Sequence, residues 1–308
     1  MDRRHFLRNS SLLTVGSSVL PSLENESENK KASLSIAFLT DVHIKPSDVA
    51  ETGMRKAFRH VNALKNKPDF ILNGGDSIMD ALAVDKTKTE QQWNLWNRVL
   101  QEENKLPIHH IIGNHDVWGW QLKDESVKTD PLYDKAWAVQ QHGLPNRYYS
   151  FEKKGWKFII LDSTQQNGGG YIARLDEAQF AWLETELRNT PFDQHICIAS
   201  HIPIVSFCSA MFFDDHLDNG DWKLSRALLH VDARRLTKLF TGYKNIRCCL
   251  SGHIHLQDMV EYKNILYYCN GAISGNWWNG AFKGFDPAYA LFQFGKDGAV
   301  DRQIVQYS

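Results

Sequence analysis

The chain has 308 residues, of which 43% are hydrophobic and 12% aromatic, and a formal net charge of −1 at pH 7. This composition is ample for a buried core, arranged as one large α/β domain or about two domains. The near-neutral charge gives no reason to expect a nucleic-acid or polyanion surface. The five cysteines contain no CxxC pair, which argues against a disulfide framework or a zinc ribbon.

The N-terminal segment, residues 1–32, is interpreted as an export signal followed by a polar linker. Arg3 and Arg4 precede a weakly apolar stretch from Ser10 to Leu20. This order resembles a twin-arginine signal, and the stretch is shorter than the ~20 residues that span a bilayer. We therefore expect a periplasmic or otherwise exported protein with no stable membrane span. A cytoplasmic protein is the alternative.

Apolar runs of strand length alternate with helical patterns along the rest of the chain. Strands are predicted at 34–39, 70–72, 108–112, 156–161, 195–199, 246–250, 265–269 and 290–294. Helices are predicted at 48–65, 89–104 and 175–187, the last with Asp176 as its N-cap. A turn at 153–155 predicts a hairpin between 147–151 and 157–161. This order favours an α/β fold, with two mixed sheets packed face to face and flanked by helices.

Metal-binding side chains stand at the ends of five apolar runs, and strand ends are where sites assemble in α/β sheets. They are Asp41 and His43 (TDVH), Asp76 (NGGD), Asn114 and His115 (GNHD), His201 (SHIP), and His253 and His255 (GHIH). Without His115, they supply seven oxygen and nitrogen donors, which suit a dinuclear hydrolytic centre in which one carboxylate bridges two ions. Imidazole, carboxylate and amide ligands without thiolate favour Mn, Fe or Zn.

The order DxH, GGD, GNHD, SH and GHxH resembles the calcineurin-like metallophosphoesterase superfamily, over a catalytic domain at residues 33–308. The resemblance implies a four-layer α/β/β/α sandwich with two divalent or trivalent transition-metal ions. It also implies in-line attack of a metal-bridging hydroxide on a phosphate ester. One ion would be held by Asp41, His43 and His255, the other by Asn114, His201 and His253, with Asp76 as the bridge. His115 would protonate the leaving oxygen, with Asp116 steering or charging it.

At some motif positions the chain differs from particular branches of the family, and these differences narrow the class of substrate that we expect. Met79 stands where purple acid phosphatases would be expected to have a tyrosine ligand, and Met79-Asp80-Ala81 stands where protein Ser/Thr phosphatases resemble one another in Asp-Arg-Gly. The chain is most similar to the bacterial group that includes class III cyclic-nucleotide phosphodiesterases and exported phosphoesterases. We therefore expect hydrolysis of a small-molecule phosphodiester. The alternatives are a phosphomonoesterase and, from another class, a non-catalytic binding protein on the same scaffold.

Aromatic residues close to these motifs are candidates for a substrate-binding wall. Trp118 follows GNHD, and Trp277 follows GAISGN near the C-terminus. The alternative is that they belong to the hydrophobic core. Three long segments, 78–92, 117–146 and 205–229, also follow metal motifs and are expected to shape substrate access, with a surface insertion as the alternative for 78–92. His216, in the third segment, is interpreted as structural or as supporting a ligand.

Overall fold

The computed structural model describes residues 32–212 and 219–307. The predicted export signal and His216 lie outside the described residues. Within the part of the chain that is described, no helix is long and apolar enough to cross a membrane.

The described residues form thirteen strands and six α-helices. The strands are β1 (Ala32–Leu39), β2 (Phe70–Asn73), β3 (Ile108–His110), β4 (Tyr149–Lys153), β5 (Trp156–Leu161), β6 (Thr164–Asn167), β7 (Gly170–Ala173), β8 (His195–Ser200), β9 (Ile246–Ser251), β10 (Asp258–Tyr262), β11 (Ile265–Cys269), β12 (Ala288–Gly295) and β13 (Val300–Gln306). The helices are α1 (Asp48–Ala63), α2 (Lys86–Glu103), α3 (Ala136–His142), α4 (Glu177–Asn189), α5 (Cys208–Met211) and α6 (Ala233–Phe240), with a short 3-10 helix at Glu125–Thr129.

Two large mixed sheets form the centre of the fold. The first has the strand order β13-β12-β1-β2-β3, in which β1, β2 and β3 run parallel. The second has the order β10-β11-β9-β8-β5-β4, in which β5, β8, β9 and β11 run parallel. A separate hairpin is formed by β6 and β7. The carboxyl ends of both sets of parallel strands are therefore available to build a site.

Apolar side chains on both faces of each sheet produce four layers. Between the sheets, Phe70 of β2 packs edge-on against Phe158 of β5, with ring centroids 5.4 Å apart. The outer face of the first sheet is covered by α1 and α2. The outer face of the second is covered by α4 and α6, through residues such as Leu183 and Phe240. Burial on both faces explains why the parallel strands read as continuous apolar runs. The predicted α/β/β/α sandwich is confirmed.

Local signals account for the elements that the sequence predicts well. Asp176 caps α4 by accepting a hydrogen bond of 2.8 Å from the backbone N–H of Gln179. The β4–β5 hairpin turns through Lys154 and Gly155, both in the left-handed region, which is the geometry that matches strand twist. Strand β3 ends two residues earlier than predicted. The strands β6, β7, β10 and β13 and the helices α3, α5 and α6 were not predicted.

Candidate metal centre

The seven predicted ligands lie where the two sheets meet, beyond the carboxyl ends of five parallel strands. Asp41 and His43 follow β1, Asp76 follows β2, Asn114 follows β3, His201 follows β8, and His253 and His255 follow β9. None of the seven is more than 8% exposed. Each sheet therefore supplies part of one buried polar cluster.

The structure brings these side chains into overlapping groups whose donor atoms lie within 4.8 Å of one another. One group is Asp41, His43 and His255, a second is Asp76, His201 and His253, and a third is His43, Asp76 and His115. The first two groups have the composition expected of two ion sites. Asn114 is buried beside them, and its Oδ1 atom has no hydrogen-bond partner among the described residues. A buried amide oxygen without a protein partner suits a metal ligand.

Three of the four ligand histidines, His201, His253 and His255, are held as metal-binding imidazoles usually are, with one nitrogen bound to a backbone carbonyl. Nδ1 of His201 lies 2.8 Å from the carbonyl of Gly74, and Nδ1 of His255 lies 2.6 Å from the carbonyl of Gly275. The carbonyl requires the hydrogen on that nitrogen, so in the neutral ring the other nitrogen is the acceptor that can bind a metal. Nε2 of His255 lies 3.1 Å from Nε2 of His43, whose Nδ1 has no hydrogen-bond partner among the described residues. This donor set fits two transition-metal ions.

Backbone strain is concentrated in the ligand set. The φ angles of Asp41, His43, Asp76, His253 and His255 lie between 48° and 69°. Residues other than glycine seldom adopt this left-handed region of φ, and each residue that does so costs roughly 1–3 kcal/mol of conformational free energy. The strained turns aim the carboxylates and imidazoles at one point, so part of the folding free energy is spent on the geometry of the site.

Two glycines allow the ligand-bearing loops to approach each other. A Cβ atom added at Gly252 would lie 2.5 Å from Oδ2 of Asp41, and one at Gly113 would lie 2.8 Å from Cγ of Asp76. In each case, the missing side chain leaves space for a carboxylate. The backbone N–H of His253 uses this space to donate a hydrogen bond of 2.9 Å to Asp41.

The carboxylates and one imidazole carry opposite charges in this buried cluster. Burial alone would raise the pKa of Asp41, but a hydrogen bond to His255 and the charges of His255 and His201 bring it below its usual range. Burial would lower the pKa of His201, but Asp76 and Asp41 raise it to about 9. Burial and the charge of His201 lower the pKa of His253 to about 3. Cation binding here would displace the proton of His201, because imidazole ligands must be neutral.

The structure places His115 at the cavity, beside the clustered ligands. The predicted contact of Asp116 with His115 is absent among the hydrogen bonds of the described residues. Nδ1 of His115 lies 2.6 Å from the carbonyl of Met79, and its Nε2 lies 4.0 Å from Asp76. The Asp116 carboxylate instead accepts hydrogen bonds from the backbone N–H groups of Gly113, Ser77 and Ile78, at 2.9, 2.8 and 3.3 Å. Its burial and the charge of Asp76 raise its pKa to about 7. Met79, and not Asp116, therefore orients the His115 ring, whereas Asp116 joins the loops after β2 and β3.

A cavity of about 170 Å³ opens onto the cluster. Besides five of the clustered residues, it is lined by Tyr171, Phe212, Ser225, Ala227, Leu228 and Trp277. Four of these six come from the segment 205–229, which was predicted to shape access. The rings of Trp277 and His255 are tilted by 34°, with centroids 4.4 Å apart. The structure thus places Trp277 in the cavity wall, beside the ligands.

Trp118 does not reach this cavity. It is 2% exposed, packs edge-on against Trp137 and donates a hydrogen bond of 3.2 Å to the carbonyl of Val84. The prediction that Trp118 belongs to the substrate-binding wall was based on its closeness to GNHD in sequence, and it is wrong because the side chain packs in the core. Sequence reasoning also missed Tyr171 on β7. The glycine run at 168–170 was the signal for that hairpin.

Comparison with known proteins gives a consistent assignment. A family model described as calcineurin-like phosphoesterase matches residues 34–257. The serine/threonine-protein phosphatase CPPED1 of Mus musculus is 25% identical over 220 residues, which cover 71% of this chain and 63% of that protein. The chain thus spans less than two thirds of that relative. A 3′,5′-cyclic-nucleotide phosphodiesterase of Nostoc is 26% identical over 249 residues, which cover 78% of each protein.

A solved structure shares the fold. The crystal structure of a dimetal phosphatase from Danio rerio has a TM-score of 0.59 at 13% sequence identity, and the comparison covers 90% of this chain and 100% of that one. At this identity, the similarity concerns the arrangement of the layers and not the substrate.

Proposed function

The chain belongs to the calcineurin-like phosphoesterase family, and on that premise we propose that it is a metal-dependent hydrolase of phosphodiesters. The buried cluster fits two ions of Mn, Fe or Zn, held by the two groups of ligands described above. The small-molecule ester would bind in the cavity beside them. The named relatives include both a phosphodiesterase and a phosphatase, so the preference for diesters depends on the cavity itself.

The charge of the cavity wall carries this preference. Among the described residues that line it, none is lysine or arginine. A phosphomonoester carries close to two negative charges at neutral pH, because its second pKa is about 6. A phosphodiester carries one negative charge, so its binding requires less positive charge in addition to that of the metal ions. The aromatic and small side chains of the wall suit a carbon substituent on the ester.

The chain's own residues have separate tasks in the reaction. Bound divalent ions in such a centre lower the pKa of water and neutralise charge on phosphoryl oxygens. His115 lines the cavity and holds a hydrogen on Nδ1 through the carbonyl of Met79, which leaves Nε2 as the nitrogen that can carry a proton for a bound ester. When cationic, the ring can give the Nε2 proton to the departing alkoxide. Asp116 accepts hydrogen bonds from the backbone N–H groups of Ser77 and Ile78, and so holds the loop that carries His115 against the loop that carries Asp76.

Hydrolysis of bis-p-nitrophenyl phosphate beside p-nitrophenyl phosphate tests the proposal, on metal-stripped protein reloaded with manganese. We expect manganese-dependent turnover of both, with the diester faster. Faster monoester turnover would overturn the diester preference and favour the phosphatase alternative, which the name of the mouse relative also suggests. No metal-dependent turnover of either ester would favour a non-catalytic binding protein on this scaffold.

We also propose export, on the twin-arginine-like residues 3–4 and the apolar stretch after them. That segment lies outside the described residues, so the support comes from the sequence alone. Fractionation of cells that produce the full chain, with and without Arg3→Lys and Arg4→Lys, tests it. Equal amounts of protein in the cytoplasm for both would contradict export.

A further inference from the structure

One loop, residues 272–280, contacts all three members of the group Asp41, His43 and His255. We call it the tryptophan loop. The hydroxyl of Ser274 donates a hydrogen bond of 2.8 Å to the carbonyl of Asp41, and the carbonyl of Gly275 accepts one from His255. The indole Nε1 of Trp278 donates one of 3.1 Å to the carbonyl of His43. The other group is supported elsewhere, since His201 and His253 bond to carbonyls of other segments.

Trp278 joins this loop to helix α1 at Gly53. A Cβ atom added at Gly53 would lie 2.7 Å from Cε3 and 2.8 Å from Cη2 of the indole, and closer still to Cζ3. Glycine weakens a helix interior relative to alanine, so its presence in α1 needs a reason. The close approach of the indole supplies one. The backbone of Trp278 is itself strained, with φ of 73°.

The contacts of Trp278 differ from those of its neighbour. Trp277 lines the cavity, whereas Trp278 is not among the described residues that do so. The indole of Trp278 contacts the site through its hydrogen bond to the carbonyl of His43, a residue that itself has a φ of 48°. A ligand held in a strained conformation depends on the surrounding structure that imposes it.

We propose that Gly53 and Trp278 are positioning residues of the metal centre. The indole, seated on Gly53, holds His43 in its strained conformation and so preserves the group Asp41, His43 and His255. The inference rests on the proposed metal-dependent function, because it assigns an ion to that group. It requires that disturbing the Gly53–Trp278 contact weakens one ion site and spares the other.

Calorimetric titration of manganese into metal-stripped protein tests the proposal through the two binding steps. For Trp278→Phe, which keeps a ring but loses the N–H group, we expect at least a tenfold loss of affinity at one site and no change at the other. Trp182→Phe is the control, because Trp182 lies on α4 against Tyr148, outside the centre. Turnover of Trp278→Phe should recover at saturating manganese.

A double-mutant cycle shows whether Gly53 acts through the indole. Gly53→Ala should weaken the same single site in the wild-type background and change nothing further in Trp278→Ala, where no indole remains to be displaced. The proposal would be overturned if the losses of manganese affinity in the two single variants were additive in the double variant. Equal losses of affinity at both sites, or no loss of affinity in the single variants, would also overturn it. A wild-type chain that binds no manganese would instead contradict the proposed function.

Discussion

Replacing Gly252 with alanine tests whether the spacing between two ligand loops sets metal affinity. The added methyl carbon would lie 2.5 Å from Oδ2 of Asp41 and 2.9 Å from Cβ of Thr40, whereas Cβ atoms essentially never approach within 3.0 Å. Oγ1 of Thr40 would be closer still, so the backbone at residue 252 and the side chains of Thr40 and Asp41 must together shift, by at least 3.0 − 2.5 = 0.5 Å between the methyl carbon and the carboxylate. Metal–ligand distances tolerate only about ±0.2 Å.

The expected losses follow from that displacement. Disturbing even a residue behind a ligand costs about 10- to 100-fold in metal affinity, and here the added methyl group contacts the ligand itself. We expect Gly252→Ala to lose at least this much at the Asp41 site, equivalent to about 1.4–2.8 kcal/mol. Overpacking should also lower the free energy of unfolding by roughly 1–3 kcal/mol. The φ of Gly252 is not positive, so backbone strain in alanine does not contribute.

Manganese titration and urea unfolding in EDTA measure the two effects separately. Gly169→Ala is the matched control, because a methyl group there would have no atom within 4 Å. If Gly252→Ala bound both ions with affinities within about threefold of the wild type, less than the 10- to 100-fold loss expected, the close approach of the loops would not control binding.

Three further substitutions separate the roles of the site residues. His115→Ala should keep two ions per chain but lose ~10²–10⁴-fold in kcat on alkyl esters, the usual share of a general acid; undiminished alkyl-ester turnover would exclude the acid role. Asp76→Asn should lower the metal content per chain in elemental analysis, because its carboxylate lies close both to His201 and His253 and to His43 of the other ion group; two ions in the purified variant would argue against a bridge. Trp277→Ala should raise the KM about 2- to 13-fold, as expected for an aromatic contact of ~0.5–1.5 kcal/mol; an unchanged KM for every ester hydrolysed would remove Trp277 from substrate binding.

The ligand positions could be predicted from sequence because each follows a buried parallel strand. Once Leu34–Leu39 is recognised as a strand, Asp41 and His43 must lie at its carboxyl end, where sites assemble. The layers follow similarly from apolar runs and helical spacing. These are properties of regular elements, in which side-chain direction follows from residue spacing.

Loop residues were harder to place, because their directions depend on backbone angles that the sequence does not reveal. Trp118 and Trp277 both stand near metal motifs, yet one packs in the core and the other faces the cavity. Asp116 adjoins His115 in sequence, but its carboxylate binds backbone N–H groups instead. Tyr171 was missed because its hairpin is short, polar and glycine-rich.

Because both sheets contribute ligands, ions bound here would act as cross-links within the finished fold. His43 and His255 are 212 residues apart in the chain yet 3.1 Å apart between ring nitrogens. Such a site does not exist in the unfolded chain, so metal binding is coupled to folding. The bound ions would then oppose separation of the sheets, adding about 2.7 kcal/mol of stability for each site when free metal is 100 times its Kd. Resistance to thermal unfolding should therefore rise with metal concentration.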